Sequence, residues 1–172
     1  MADDKVCAIE RPDGGVSVVI PNWNKFTLDP VVAENEGKQL IEDFDAYVDG
    51  ELAKQVGVLT EVRRCVCPKT GLPWRGKLRD AWRLKAAGDG VEMDMPAARV
   101  IRTDAVRVER NERLKEADIE YSVADEKGDA PGKSAAGVKR QALRDIPATI
   151  QPDLEAITDP ETLENCAPAW PE

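Results

Sequence analysis

A long run of sequence without glycine or proline constrains this chain more than any other feature. It extends from Ala97 to Lys127, is dense in Arg, Glu, Asp and Ala, and follows Pro96, a residue that often occupies the first turn of a helix. We predict one long helix here.

Apolar side chains fall on two sides of this predicted helix. One stripe gathers Ile101, Ala105, Val108, Ile119 and Val123, and the other, roughly opposite on a helical wheel, gathers Val106, Leu114, Ala117 and Tyr121. We infer contacts with two bodies, such as the following helix and another subunit, in a bundle or a loosely heptad assembly. The alternative is a marginal, charge-paired helix that carries a few unavoidable apolar residues.

A second helix is predicted to make a helical hairpin with the first. The segment 128–133 contains two glycines and a proline and breaks the long helix. The next helix runs from Ser134 to Ile146, with Ser134 as its N-cap and Pro147 as the residue that stops it.

The C-terminal tail is rich in proline. An Asp-Pro-Glu sequence at 159–161 predicts the start of a short helix, and the extreme end is expected to be extended. Trp170 in that end either inserts into a neighbouring groove or belongs to a disordered tail. Our candidate interface residues are Trp82, Ile101, Val108, Leu114, Tyr121 and Trp170.

The N-terminal part alternates strands with one acidic segment. Two β-branched runs, Val6–Glu10 and Val16–Pro21, flank Pro-Asp-Gly-Gly and predict a hairpin. From Asp29-Pro30 to Val56, apolar residues recur at threes and fours and predict an amphipathic helix, broken at Gly37 or Gly50. Its acidic face is interpreted as a solvated surface rather than a cation site.

Three further strands are predicted before the long helix. Leu59–Cys67 alternates and is rich in β-formers, and Asp80–Lys85 with Val91–Met95 predicts a second hairpin. The fold class is therefore α+β: β-hairpin units with an acidic amphipathic helix, then a long charged helix and a helical hairpin. We predict a small α+β docking domain over 1–95, and a helical hairpin with a proline-rich tail over 96–172.

Four cysteines, Cys7, Cys65, Cys67 and Cys166, admit three disulfide pairings. Cys65-Val66-Cys67 lacks the two-residue gap of a zinc knuckle, and on a strand both thiols would face the same side. We treat all four as candidates for a disulfide or for attachment to another chain. Inert, half-buried thiols are the favoured interpretation of the CxC pair.

Charge and composition exclude several functions. With 24 Lys+Arg against 33 Asp+Glu the formal charge is −9, which argues against nucleic acid as a partner. No histidine is present, so His-based catalysis and His metal sites are absent. Gly-Asp-Ala-Pro-Gly-Lys-Ser at 128–134 lacks the spacing and preceding strand of a phosphate loop. We expect no cofactor and no metal, with a carboxylate-metal enzyme as a distant alternative.

Two further expectations concern location and charge contacts. The acidic start resembles no signal peptide and no apolar stretch is long enough for a membrane span, so synthesis in a cytosol is expected. The basic residues of the segment 63–85 are expected to dock on an acidic protein surface, including the chain's own acidic helix, rather than on a phosphate backbone.

Four passages within residues 78–172 are recognisable together: Arg-Asp-Ala-Trp at 79–82, the run 91–99, Gln-Ala-Leu-Arg-Asp-Ile-Pro at 141–147, and Trp-Pro at 170–171. Through them the C-terminal half resembles a group of small tailed-bacteriophage proteins described as tail proteins, tail-fibre-associated proteins or tail assembly chaperones. The first hairpin is similar to the opening of the same group. The acidic helix and the CxC strand do not match its pattern.

This resemblance implies association with a phage tail, no cofactor and no catalytic residues. We predict a non-enzymatic structural component of the tail, associated with fibre or baseplate and strengthened by intermolecular disulfides. The alternative is a tail-fibre or tail assembly chaperone that is not retained in the virion. Expected partners are other tail, fibre or baseplate proteins and further copies of the chain, and the expected location is the host cytoplasm, then the virion tail.

Overall fold

The computed structural model describes residues 5–55, 63–74 and 76–171. Their contacts divide the chain into two compact units. Unit 1 holds the described residues of 1–75 and 79–94, and unit 2 holds 76–78 and the described residues of 95–172. The architecture is mixed α+β, with small sheets first and helices afterwards, and the predicted fold class is confirmed.

Unit 1 begins with the predicted hairpin. β1 (Lys5–Glu10) pairs antiparallel with β2 (Val16–Val19), in a register that places Glu10 opposite Val16. Gly14 has φ of 78°, and the Asp13 carboxylate accepts a hydrogen bond from the Gly15 amide at 2.9 Å. Turn chemistry at the tip therefore sets the pairing, as the Pro-Asp-Gly-Gly sequence predicts.

The acidic segment forms two helices instead of one. β3 (Phe26–Thr27) precedes α1 (Pro30–Glu36), which Asp29 caps by accepting from the Val31 amide at 2.9 Å. Gly37 then ends α1 at a φ of 63°. This confirms the break predicted there, because a left-handed residue at the end of a helix favours glycine.

A short strand separates the two helices. β4 (Gln39–Leu40) pairs parallel with β3, and α2 (Phe44–Gln55) follows, with Gly50 inside it rather than at a break. The end of the predicted acidic helix at Val56 lies outside the described residues. So does the first part of the predicted strand Leu59–Cys67, from Leu59 to Val62.

Three more strands complete unit 1. β5 (Arg64–Pro68) pairs antiparallel with β1 and gives the strand order β2-β1-β5. β6 (Trp82–Leu84) and β7 (Val91–Met93) form the second predicted hairpin. Met95, expected on that hairpin, is instead the first residue of the next helix.

The central strand β1 has apolar neighbours on both of its faces. Val6 and Ala8 pack with the β6–β7 hairpin, around the buried Trp82. Cys7 and Ile9 point to the opposite face and pack with Phe44 and other residues of the α2 side. Alternation along a strand sends successive side chains to opposite faces, so β1 holds both layers of unit 1 together.

Unit 2 is helical. α3 (Met95–Glu126) confirms the predicted long helix, and it packs along α4 (Ala130–Thr149) as a hairpin. α5 (Gln151–Ala156) and α6 (Pro160–Asn165) follow, and both contact α3. Asp159 caps α6 through the Thr162 amide at 2.7 Å.

Two predicted boundaries of α4 are wrong. Asp129, not Ser134, is the N-cap, since its carboxylate accepts from the Gly132 amide at 3.0 Å and Pro131 occupies the first turn. Pro147 lies inside the helix instead of stopping it. A proline lacks one amide hydrogen, yet the helix continues with the Ile150 amide donating to the Ile146 carbonyl at 3.1 Å.

Candidate functional site

The seam between α3 and α4 is built from small and aliphatic side chains. On α3 the buried residues include Val106, Ala117 and Ala124, and on α4 they include Ala136 and Leu143. Alanines allow two helix backbones to approach closely. Of the two stripes predicted on the long helix, the one containing Val106 and Ala117 therefore faces the hairpin seam.

Charged pairs flank this seam. Lys139 lies 3.0 Å from Glu120, and Arg140 lies 2.6 Å from Asp118, each pair joining α4 to α3. The Arg140 guanidinium also lies 4.7 Å from the centre of the Tyr121 ring. Tyr121 is half-buried, so cationic groups of α4 cover an aromatic face that would otherwise meet water.

Arginines of α3 bind the backbone of the C-terminal segment. Arg99 donates to the Leu154 carbonyl at 3.0 Å and to the Ile157 carbonyl at 2.9 Å. Arg102 donates twice to the Cys166 carbonyl, at 2.9 and 2.7 Å. These bonds provide donors for carbonyls at and after the ends of α5 and α6, because no following helical turn supplies an amide to them.

The tail itself returns to α3. The Arg113 guanidinium lies 4.5 Å from the centre of the Trp170 ring, and Trp170 is half-buried. The sequence left two possibilities for Trp170, insertion into a neighbouring groove or a disordered tail. The structure places the ring against Arg113 of the same chain. Arg99, Arg102 and Arg113 together are called the arginine clamp below.

The outward side of α3 carries the other predicted stripe. Val108 is 63% exposed, Ile119 is 64% exposed and Val123 is 40% exposed. Ile101 of this stripe is half-buried, as is Leu114 of the stripe that contains Val106. Large aliphatic side chains at this exposure are unusual on one side of a single helix and indicate a surface suited to protein contact.

One further candidate interface residue, Trp82, belongs to unit 1. Trp82 is 1% exposed in the core of unit 1, where its indole nitrogen donates to the Trp74 carbonyl at 3.2 Å. The ring is therefore inside the unit and not at its surface.

All four cysteines are free thiols. Cys65 and Cys67 share one face of β5, as the alternation predicts, and Cys7 lies on the other face of the sheet. Burial raises the pKa of Cys7 from 9.0 to about 11 and that of Cys65 to about 11, and it also raises the pKa of Cys67. These three thiols are thus poorly ionised near neutral pH; Cys166 is half-buried in unit 2.

Part of the predicted basic cluster meets the acidic helix. The Arg64 guanidinium forms ion pairs with Asp49 and, at 3.5 Å, with Asp45 of α2. This contact with the chain's own acidic helix agrees with the predicted docking of basic residues on acidic protein surface.

The arginine clamp is the feature that the sequence did not single out. Its arginines lie in a run dense in charged residues, so they resemble ordinary surface charges. Arg99 and Arg102 donate to backbone carbonyls, which carry no sequence signal, and Arg113 contacts the Trp170 ring. Arginine also occurs at 107 and 110 in the same run, so the sequence does not distinguish the three arginines of the clamp.

Within the described ranges, no group of three His, Cys, Asp or Glu side chains is placed to hold a metal ion. None of the described helices combines the length and hydropathy that crossing a bilayer requires.

Comparison with known proteins finds one family model, and it matches a segment of the helical unit. Residues 103–165 match the family model described as phage tail assembly chaperone protein. The match begins in α3 and ends at the last residue of α6, and it confirms the resemblance noted for the C-terminal half. It favours the chaperone alternative over a structural component of the virion. No curated protein and no solved structure matches the chain.

Proposed function

We propose that this protein is a tail assembly chaperone: it binds phage tail subunits in the host cytoplasm during assembly and is absent from the finished particle. The observation that carries the proposal is the family match over 103–165, which covers most of α3 and all of α4 to α6. The partners are then tail proteins, and the protein acts by binding rather than by catalysis.

The helical unit has features that suit transient binding. Exposed aliphatic side chains on α3 and α4, such as Val100 and Val138, stand among charged residues. Apolar groups spaced in this way can contact a client's exposed apolar segment, while the charges around them keep the free chaperone soluble. The arginine clamp and the ion pairs of the seam hold this surface in one shape.

The thiols give little support to permanent attachment in a virion. Disulfide exchange needs an accessible thiolate. Cys7, Cys65 and Cys67 are buried, so they are poorly accessible, and their pKa values are raised, so little thiolate forms. This supports the chaperone over a tail component locked in place by disulfides.

The proposal is tested by following the chain through assembly. The tagged protein is expressed with the tail subunits of its phage, and complexes from cells are compared with purified particles by quantitative mass spectrometry, with and without reductant. We expect a stoichiometric complex with a tail subunit in cells, and no chain in particles. A stoichiometric copy number in particles would overturn the proposal in favour of a structural component.

A pair of neighbouring variants gives the control. Leu154 is fully buried in unit 2, so Leu154→Asp should disrupt the helical unit and abolish the complex. Asp153 is exposed beside it, and Asp153→Asn should leave the complex unchanged. A complex that survives Leu154→Asp would show that the matched segment does not bind the client.

A further inference from the structure

One side of α3 repeats at spacings of four and three residues. The positions on this outer face are Ile101, Ala105, Val108, Glu112, Lys115, Ile119, Ser122 and Glu126. Alternating steps of four and three are the spacing of the contact positions in a coiled coil. The face is interrupted by charge at its centre, so it differs from a continuous apolar seam.

These positions are symmetric about a point between Arg113 and Leu114. Outward from that point, Glu112 is matched by Lys115 and Val108 is matched by Ile119. The next matched pair is Ala105 with Ser122, beside Val123. Each acid or large aliphatic residue near the centre thus has a complementary residue at the same distance on the other side.

The geometry points to a second copy of this chain as the occupant of the outer face, with the two α3 helices antiparallel about a two-fold axis at the centre. In that arrangement Glu112 meets Lys115 of the partner helix, and Lys115 meets the partner's Glu112. Val108 packs against Ile119 of the other copy, twice by symmetry. The surface is therefore self-complementary in both charge and apolar contact.

A parallel pairing does not share this complementarity. It would place Glu112 against Glu112 and Lys115 against Lys115, and like charges at contact positions are destabilising. The charge order of α3 thus selects the antiparallel orientation, in the way that polar contact residues select orientation and register in coiled coils.

The centre of the outer face is open in the described chain, whereas Ile101 and Ala105 near its N-terminal end are half-buried. Val108 and Ile119 are each more than three-fifths exposed, and the Glu112 and Lys115 side chains are 66% and 70% exposed. Glu112 and Lys115 are 2.8 Å apart within one chain, so a second copy would convert two local pairs into a four-charge cluster across the axis. Burial of the aliphatic residues next to this cluster supplies the hydrophobic contribution.

Acids that flank the face already have cations in their own chain. Asp104 lies 2.7 Å from Arg107, and Asp118 lies 2.6 Å from Arg140. Such neighbours reduce repulsion between the two copies. Glu109 and Glu116 would face one another across the edge of the contact, and this repulsion limits the affinity.

This inference does not depend on the chaperone proposal, because it concerns the purified chain alone. The test is sedimentation velocity of the full chain at loading concentrations up to about 200 µM. We expect a concentration-dependent equilibrium between monomer and dimer. A chain that remains monomeric over this range would overturn the inference.

Charge reversal tests orientation. Either Glu112→Lys or Lys115→Glu places like charges opposite one another twice in an antiparallel dimer, and should weaken it by about tenfold or more. The double variant Glu112→Lys/Lys115→Glu should restore dimerisation, and a mixture of the two single variants should form heterodimers. Single variants with unchanged dimerisation would overturn the antiparallel contact.

Aliphatic substitution tests the face. Val108→Asn should abolish dimerisation, whereas Val138→Asn, at a 69% exposed position on α4, should not. Valine and asparagine have similar helix propensities, and circular dichroism checks that both variants stay folded. Equal loss in both variants would contradict the assignment of the face. A monomeric chain that loses a tail subunit through Val108→Asn alone would assign the face to a client instead.

Discussion

Different kinds of internal contact stabilise unit 1 and unit 2. Unit 1 depends on β1, whose Val6 and Ala8 face one apolar layer while Cys7 and Ile9 face the other. Unit 2 has aliphatic residues along its seam, but its tail is held by hydrogen bonds from Arg99 and Arg102 and its helices are flanked by ion pairs.

The difference teaches how a chain with few aromatic residues forms two structured bodies. Only 5% of its residues are aromatic, so large core side chains are scarce. Unit 1 concentrates Trp82 and Phe44 on the two sides of one sheet. Unit 2 uses charged donors on backbone carbonyls, bonds that are stronger than those between neutral groups.

Removing the central ring of unit 1 should have the largest effect. Trp82→Ala deletes a 1% exposed side chain and should destabilise unit 1 by about 3–5 kcal/mol. Hydrogen exchange should show loss of protection in the sheet and retained protection in α3 and α4. Trp74→Ala is the control, because Trp74 is 38% exposed and the substitution retains the backbone carbonyl that accepts from Trp82. Equal loss of protection in both units would show that the two are one cooperative body.

Removing one arginine of the clamp should affect unit 2 alone. Arg102→Ala leaves the Cys166 carbonyl without its two donors and should cost about 2–3 kcal/mol locally. Limited proteolysis should then cut the segment that follows α6. Arg107→Ala removes only an exposed pair with Asp104 and should change the cleavage little. Identical digestion of the Arg102→Ala variant and the parent would show that Arg102 does not hold the segment after α6 in place.

Raising the pH should weaken unit 1 through its buried thiols. Burial raises the pKa of Cys7 from 9.0 to about 11, so an unfolded thiol ionises before the folded one. The neutral thiol therefore makes its full contribution to the free energy of unfolding below about pH 9, and this contribution is lost as the pH rises towards about 11. At about pH 10.5 the free energy of unfolding should have fallen by about 2 kcal/mol.

Denaturant titrations at several pH values measure this effect. Cys7→Ala should flatten the decline of stability with pH, even though the smaller side chain lowers stability at every pH. Cys166→Ala in unit 2 is the control for removal of a thiol outside unit 1. An equally steep decline in the Cys7 variant would show that other groups cause it.

Removing the cap of α4 should have the smallest effect. Asp129→Ala deletes the acceptor for the Gly132 amide and should cost about 1 kcal/mol of unit 2 stability, whereas Asp129→Asn should retain most of it. Thermal unfolding followed by circular dichroism at 222 nm compares the two. Equal midpoints for Asp129→Ala and the parent would indicate that Ser134, the cap predicted from sequence, starts the stable part of the helix.

Much of the fold was predictable because its signals are local. The absence of glycine and proline predicted α3, and Pro-Asp-Gly-Gly predicted the β1–β2 hairpin. The alternation of Cys65 and Cys67 predicted their shared face. The boundaries of α4 were less predictable, because Asp129 and Ser134 are both good caps and packing decides which one is used.

The sequence by itself determined where α3 and the two β-hairpins form, that α3 has two apolar sides, and that the charges at the centre of its outer face are complementary. Only the tertiary structure decided which side α4 covers, and that Arg102 binds a carbonyl 64 residues away. The physical reason is the range of the interactions. Propensity, capping and alternation act between neighbours along the chain, whereas every residue offers a carbonyl and only the folded backbone selects the one that an arginine reaches.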